Sequence, residues 1–430
     1  MTDSSEGSGK LSLLDTVAMA VGGMVGGGIF AVLGQAATTA GNGAFLSFAL
    51  AGALALVTGL SYARLTVAYD EPGGSFSYVE ELVGPNAAGT VSWFLLVGYL
   101  FTNGLYAYTF GAYLGRLLGQ DASWTPYLGS AIVLALGGLN VMGVQASAWV
   151  EDTIVYGKLT LLLVVTVVGA TTVRAEEALP ILQDSGLSIV GAAALIFVAY
   201  EGFQLLTYDY DEIDDHERNL PRTIWIAIPA VTLLYVAITF VLTGTVDAAT
   251  IAAQEETVLA DVAEPVLGHA GLVLVLVAAV MSTSSAINAT LFSTGRLAKR
   301  VAQDHQLPAV LTRWTVNGVP VRFLGLQVGL GILLLFTADL EQIVTFSSMV
   351  FLLVFGVVNG AAMWHHVFEG WKAALPVAGV LGCLSAAVTL GVQTGMQRME
   401  SLVAIGVIAG ILIVLRVGFQ WLGHAGSQGS

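Results

Sequence analysis

Apolar residues run through this chain in long blocks separated by short polar stretches, from Leu11 almost to its end. A helix that crosses the hydrocarbon core of a bilayer needs roughly 20 mainly apolar residues. Twelve blocks reach about that length: 12–37, 44–69, 89–118, 124–146, 153–173, 188–209, 222–246, 266–297, 322–338, 342–365, 373–394 and 399–421. Only Asp339 to Glu341 separate the ninth from the tenth. The pattern predicts an all-α integral membrane protein of about 12 transmembrane helices.

Composition strengthens this picture. Of 430 residues 56% are apolar and 10% charged, whereas soluble domains average about 25% charged. So much apolar surface could not be covered in water. Length alone would suit two or three soluble domains, but a single polytopic bundle fits the recurring blocks better. The opening residues Met1–Gly9 are acidic and rich in Ser and Gly, and no cleavable signal peptide is expected after them. The lone cysteine, Cys383, lies inside an apolar block, so no disulfide framework is expected. The formal charge of -15 comes from 30 acidic against 15 basic residues. Such a balance resembles proteins of salt-loving archaea, where carboxylates hold hydration, and is also met in ordinary acidic membrane proteins. Binding to nucleic acid or anionic lipid is disfavoured by the same balance.

Lysine and arginine set the expected orientation. With the N-terminus in the cytoplasm, the inner side holds Lys10, Arg64, Arg218, Arg222, Arg296, Lys299, Arg300, Arg313, Arg322, Lys372 and Arg416. The outer side holds Arg116, Arg174 and Arg398. The bias predicts a multi-pass protein of the cell membrane with both termini cytoplasmic.

Two spans carry signs of interruption. The first contains Gly22, Gly23, Gly26, Gly27 and Gly28, five glycines in seven positions. Each costs a helix interior roughly 1 kcal/mol relative to alanine. Close helix packing usually needs small residues four apart, whereas consecutive glycines suit an unwound stretch whose amides face a ligand. The sixth span carries Phe197-Val198-Ala199-Tyr200-Glu201-Gly202-Phe203, an acid beside a glycine in an apolar setting. Irregular backbone at that depth is tolerated where it lines a cavity or is buried in protein. The two interruptions fall five spans apart, an odd offset that inverts one five-helix set relative to the other. Broken helices in corresponding places of inverted repeats point to a substrate site at the membrane midplane. Half-helix N-termini there suit a carboxylate, and the opposing carbonyls suit an ammonium, a combination that matches an amino acid.

These passages resemble the amino acid–polyamine–organocation superfamily of transporters. Gly26-Gly27-Gly28-Ile29-Phe30 is similar to its glycine-rich break, and Pro72-Gly73-Gly74-Ser75-Phe76-Ser77-Tyr78 to the loop after its second span. Phe197 to Phe203, with Asn219-Leu220-Pro221-Arg222, resembles its sixth-span motif. The run from Ser284-Ser285-Ala286-Ile287-Asn288-Ala289 through Arg296, Asp304 and Leu307-Pro308 to Val319-Pro320 resembles its eighth span and following loop. The resemblance implies a ten-helix core over 11–365, built as two inverted five-helix repeats with helices 1 and 6 broken. Two peripheral helices over 366–423 would follow it, between a cytoplasmic tail of 1–10 and a C-terminal tail of 424–430. It further implies that the amides of Gly26, Gly27 and Gly28 receive a substrate carboxylate. Carbonyls near Met24, Ile29, Phe197, Val198 and Glu201, with Ala199 and Tyr200 between them, would receive the amino group. Val198 departs from the bulky aromatic gate of many members, leaving Phe197 as a substitute or the pocket open to a larger side chain.

Lys158 and Glu201 are the charges expected within spans, and each costs at least about 2.5 kcal/mol at the bilayer centre, so each needs a partner or a task. The passage around Lys158 resembles proton-coupled or sodium-independent members, whose ammonium fills the place of a sodium ion. An amine removed from water gives up its proton readily, so Lys158 could load and unload one. Its expected partners are a carbonyl near Gly23 and the hydroxyls of Ser284 or Ser285; the alternatives are a permanently charged structural lysine or one snorkelling to the surface. Glu201 could contact a cationic substrate group, pair with Lys158, or cap the broken helix.

Other polar residues are less specific. Asn103, near Tyr99 and Tyr106, could line the pocket, although such an asparagine is more often an interhelical hydrogen bond; Asn288 has the same two readings. Ser347 and Ser348 read as small packing residues, and Asp209 to Glu217 as a solvated acidic loop before a helix opened by Pro221. Trp364 to Trp371, with His365 and His366, suit an aromatic belt at a cytoplasmic boundary. The six histidines form no metal-like cluster, and no cofactor is implied. Neither a nucleophile–base set for an enzyme nor a pore-like ring of charges stands out. The expectation is alternating-access uptake of an amino acid or related amine, coupled to protons through Lys158. The alternatives are an amino acid/polyamine exchanger or facilitator, or a non-transporting sensor of the same fold.

Overall fold

The computed structural model describes residues 10–70, 74–143, 148–174, 176, 179 and 186–427. The expected tail Met1–Gly9, the loop residues Pro72 and Gly73, and residues 428–430 lie outside them. Among the described residues the chain is almost wholly helical, its strands being the two-residue pair Thr315–Val316 and Val319–Pro320. Among the described residues, nine helical stretches are long and apolar enough to cross a membrane, by length and composition. Leu13–Met24, Thr153–Gly169 and Val321–Thr337 are shorter apolar helices.

The first apolar block is split into α1 (Leu13–Met24) and α2 (Gly28–Ala40). A capping box closes the start of α1, with Ser12 accepting from the Asp15 amide and Asp15 reaching back to Ser12. The helices that follow are α3 (Ala44–Tyr69), α4 (Gly74–Val83), α5 (Pro85–Leu117), α6 (Thr125–Val141) and α7 (Ala148–Gly169). The sixth block begins as α8 (Leu187–Leu195), tightens into a 3-10 turn at Ile196–Tyr200, breaks at Glu201 and Gly202, and resumes as a 3-10 turn at Phe203–Tyr208. Then come α9 (His216–Thr245), α10 (Ala248–Ala253), α11 (Leu259–Gln303), α12 (Val321–Thr337), α13 (Leu340–Trp364), α14 (Ala374–Gln397) and α15 (Met399–Ser427).

Several boundaries differ from the sequence expectation. Pro221 does not open its helix: α9 starts at His216, and both Pro221 and Pro229 lie inside it. The helix α11 extends beyond the expected block at both ends and kinks at Gly268, whose φ is 66°. Asp339 needs little room to separate α12 from α13, because its side chain caps α13 by accepting from the Gln342 amide.

The two interruptions meet back to back. Gly202 has φ 127°, a conformation that residues with a side chain rarely adopt. A Cβ placed there would lie 2.7 Å from the backbone carbon of Gly23. Close approach also explains the glycine run. A Cβ at Gly27 would fall 2.2 Å from the Tyr106 ring, and one at Gly28 would fall 2.8 Å from the Cα of Ala199. The glycines therefore do both things weighed from the sequence, packing tightly and permitting the break.

Aromatic rings support the sixth-block break from behind. Phe355 on α13 meets Tyr62 at 5.5 Å, Phe203 at 5.5 Å and Phe197 at 5.8 Å between centroids. Farther along α13, Asn359 is fully buried and donates to Thr58 Oγ1 at 2.9 Å, while Ser61 donates to its Oδ1 at 2.7 Å. These bonds join α13 to α3.

Two outcomes follow from this packing. Asn359→Ala removes the link between α13 and α3, and the folded protein in detergent loses about 1 kcal/mol of stability, read as a lowered midpoint of thermal unfolding; an unchanged midpoint contradicts the link. Gly27→Ala sharply lowers the yield of monodisperse protein because Tyr106 cannot share the space, and adding Tyr106→Ala restores it. A Gly27→Ala protein with full yield and stability would contradict the close contact.

Candidate functional site

The broken backbone leaves amides and carbonyls without helical partners, and nearby side chains supply them. Tyr235 on α9 serves both interruptions, its hydroxyl donating to the carbonyl of Met24 at 2.9 Å and to that of Ala199 at 3.3 Å. Ser282 on α11 donates to the carbonyl of Gly26 at 2.6 Å. Ser348 on α13 accepts from the Val198 amide at 3.0 Å and donates to the carbonyl of Leu195, so it is more than a small packing residue. Gln204 accepts from the Gly202 amide at 2.9 Å. Capping of the break, one reading of Glu201, is thus performed by Gln204.

A cavity of about 600 Å³ lies against the two breaks. Gly22, Gly23 and Gly26 line it from the first break, Glu201 and Gly202 from the second, and Tyr106, Lys158 and Ser285 from neighbouring helices. Its lining continues past Asn140 and Asn288 to Asp209, Phe292 and Arg296, and to Leu11, Asp15 and Met19 of the N-terminal segment. Asp15, Met19, Phe292 and Arg296 are exposed, whereas Gly26, Tyr106, Lys158 and Glu201 are buried. The cavity is therefore deepest at the breaks and reaches solvent beside the start of α1.

Lys158 is 4% exposed, and its ammonium donates to the carbonyl of Gly22 at 3.2 Å. The expected carbonyl partner is thus found one residue before Gly23. Ser284 donates instead to the Val280 carbonyl of its own helix at 2.7 Å, and Ser285 lines the cavity. Glu201, also 4% exposed, accepts from Gln204 Nε2 at 2.8 Å and from the Tyr106 hydroxyl at 3.3 Å. Gln204 Nε2 donates as well to the Tyr99 hydroxyl at 3.1 Å. Among the described residues no ion pair joins Lys158 to Glu201, and Glu201 is held by neutral donors.

The remaining candidates stand at varied distances from the cavity. Gly27 packs under Tyr106 and Gly28 against Ala199. Met24, Ile29, Phe197, Val198, Ala199 and Tyr200 are buried in the surrounding core. Phe197 packs on Phe355. Asn103 is 3% exposed with neither side-chain nitrogen nor oxygen hydrogen-bonded. Asn140 donates to Asn288 Oδ1 at 2.8 Å, so Asn288 both lines the cavity and joins two helices. Asp209 also departs from the solvated-loop reading, because it lines the cavity and pairs with Arg296 at 3.4 Å.

The far side of the breaks is covered. The loop after α10 packs on α2 and α5, with Thr38 donating to Glu255 at 3.2 Å and Tyr108 donating to Glu256 at 2.7 Å. Arg116 on α5 clamps Asp261 with two hydrogen bonds of 2.7 and 2.6 Å and reaches Thr257 Oγ1 at 2.9 Å.

Comparison with known proteins places this architecture. Residues 11–419 match the family model described as amino acid permease. An uncharacterised protein of Methanocaldococcus jannaschii is 30% identical over 352 residues, covering 80% of each chain. The inner membrane transport protein YbaT of Escherichia coli is 30% identical over 322 residues, covering 73% of this chain and 74% of its own. The human large neutral amino acids transporter small subunit 2 is 27% identical over 365 residues, covering 81% of this chain and 68% of its own. With its long apolar helices and a family match along nearly its whole length, the chain is a multi-pass membrane protein that belongs to the amino acid permease family.

Proposed function

We propose that this protein is a secondary transporter that moves amino acids across the cell membrane by alternating access, coupled to protons through Lys158. The observation that carries the reading is the seat of Lys158. Its ammonium is held by the Gly22 carbonyl beside a broken helix, within a cavity that Glu201 also lines. A cation bonded to that carbonyl stabilises the local arrangement of α1. Loss of its proton removes the charge-assisted part of the bond and frees α1 to move. A lysine that must change its charge during the cycle is a physical route from proton to helix.

The substrate would sit where the breaks meet. Its carboxylate faces the free amides of Gly26, Gly27 and Gly28 at the start of α2, where a helix N-terminus favours negative charge. Its amino group faces carbonyls near Met24, Ile29, Phe197, Val198 and Glu201. Met24 already accepts from Tyr235, and a carbonyl has a second lone pair to offer. In this reading Ala199 and Tyr200 back the substrate from the buried core, Asn103 adds unspent hydrogen-bonding capacity there, and Ser284 and Ser285 flank the ion-coupling region with Gly23. The family match and the name of the human relative support amino acids as the cargo.

In this reading the core spans 11–365 as two inverted five-helix repeats, and the helices over 366–423 are peripheral. The termini are cytoplasmic, the cavity beside Asp15 and Arg296 faces the cytoplasm, and the loop at Glu255 and Glu256 closes the outside. The acidic balance suits a protein that works in concentrated salt.

Uptake into proteoliposomes in high salt tests the proposal, using a radiolabelled panel of amino acids and polyamines with and without an inward proton gradient. Wild-type uptake is stimulated by the gradient, and Lys158→Ala loses that stimulation. Counterflow indifferent to the gradient would make the protein an exchanger or facilitator, and binding without flux would make it a sensor. Glu201→Gln lowers uptake of cationic amino acids relative to neutral ones by about tenfold, the ratio that ~1.4 kcal/mol produces; an unchanged ratio removes Glu201 from side-chain recognition.

A further inference from the structure

The mouth of the cavity holds an opposite-charge pair remote from the breaks. Asp209, just after the 3-10 turn that ends the sixth block, lies 3.4 Å from Arg296 on α11, and both line the cavity. The Asp209 side chain is 11% exposed and that of Arg296 50% exposed. The guanidinium lies over the Phe292 ring, 4.9 Å from its centroid, and Phe292 also lines the cavity.

The pair leaves most of its capacity unspent. A guanidinium carries five N–H donors in a rigid fork suited to a carboxylate. Among the described residues, the polar partner of Arg296 is Asp209, through a single nitrogen. A carboxylate has about four lone-pair sites, and Arg296 occupies one oxygen of Asp209. A cation and an anion side by side, each with open valences and both facing the same space, complement a zwitterion. The carboxylate of a free amino acid matches Arg296, and its ammonium matches Asp209.

This place is distinct from the breaks. Ala286 stands beside Gly26, and Arg296 follows ten residues later on the same helix. At 1.5 Å per residue the two are about 15 Å apart along α11, too far for one ordinary amino acid to fill both. The intervening wall is polar at Asn288 and Ser293, and both line the cavity.

We propose that Asp209 and Arg296 form a second binding station for a zwitterionic amino acid, at the mouth of the cavity and separate from the site at the breaks. The station rests on the amino acid transport reading above. It gives a substrate leaving the breaks a place to pause, and lets amino acid accumulated on that side re-enter and hold the cavity occupied.

Equilibrium binding of radiolabelled alanine, leucine, arginine and glutamate to purified, detergent-solubilised full-length protein tests this. The station requires two equivalents bound per chain for any amino acid that binds. Arg296→Gln and Asp209→Asn each reduce this to one equivalent while the remaining site keeps its affinity, which also reports that the variants are folded. Agmatine, which is arginine without its carboxylate, does not fill the second station. One equivalent in the wild type, or two equivalents retained in both variants, overturns the station and leaves transport untouched. If none of the panel binds the wild type, the station and the amino acid reading fall together.

Discussion

Backbone that leaves a helix inside a membrane must find hydrogen bonds within the protein, because the hydrocarbon offers none. That constraint organises this molecule around the contact between Gly23 and Gly202. Two chain breaks placed against each other create several orphan amides and carbonyls in one small volume. Tyr235, Ser282, Gln204 and Ser348 reach them from α9, α11, the sixth block and α13. Lys158 reaches the Gly22 carbonyl from α7. The groups that satisfy the breaks therefore tie them to the surrounding bundle, and a shift of either break must be felt by several helices.

The same constraint separates holding from working parts. Tyr235 is buried and joins both breaks through one hydroxyl. Lys158 and Glu201 line the cavity and are ionisable groups whose charged forms are costly to bury, so in the proposed cycle they are where occupancy by a proton or a substrate cation alters the energy most. On the covered side, the Arg116–Asp261 clamp and the hydrogen bonds to Glu255 and Glu256 close the molecule with polar contacts that can exchange for water.

Much of this was legible in the chain. Twenty-residue apolar blocks announced the helices, and the glycines from Gly22 to Gly28 announced the first break, because no other composition both weakens a helix and permits contact at the distances found for Gly27 and Gly28. The Glu201-Gly202 pair marked the second break for the same reason. The partners of the breaks were not legible. Ser282 lies 256 residues from the carbonyl it meets, and neighbouring serines such as Ser284 differ from it only in helical facing. Two residues turn a helix by about 200°, so Ser282 reaches the break while Ser284 bonds its own backbone. Asp209 was hidden by its acidic surroundings, since nothing local distinguishes a solvated aspartate from one that lines a cavity opposite an arginine 87 residues away.

In the proposed transport cycle the cavity at the breaks opens to one side at a time. Spin labels on Ala18 of α1 and Ser293 of α11, placed in a Cys383→Ser background, report the width of its mouth by pulsed electron resonance in liposomes. Saturating transported amino acid is predicted to add a distinctly shorter distance to the one seen without it, as the mouth closes around the cargo. A single distance that no amino acid or proton gradient alters would contradict alternating access.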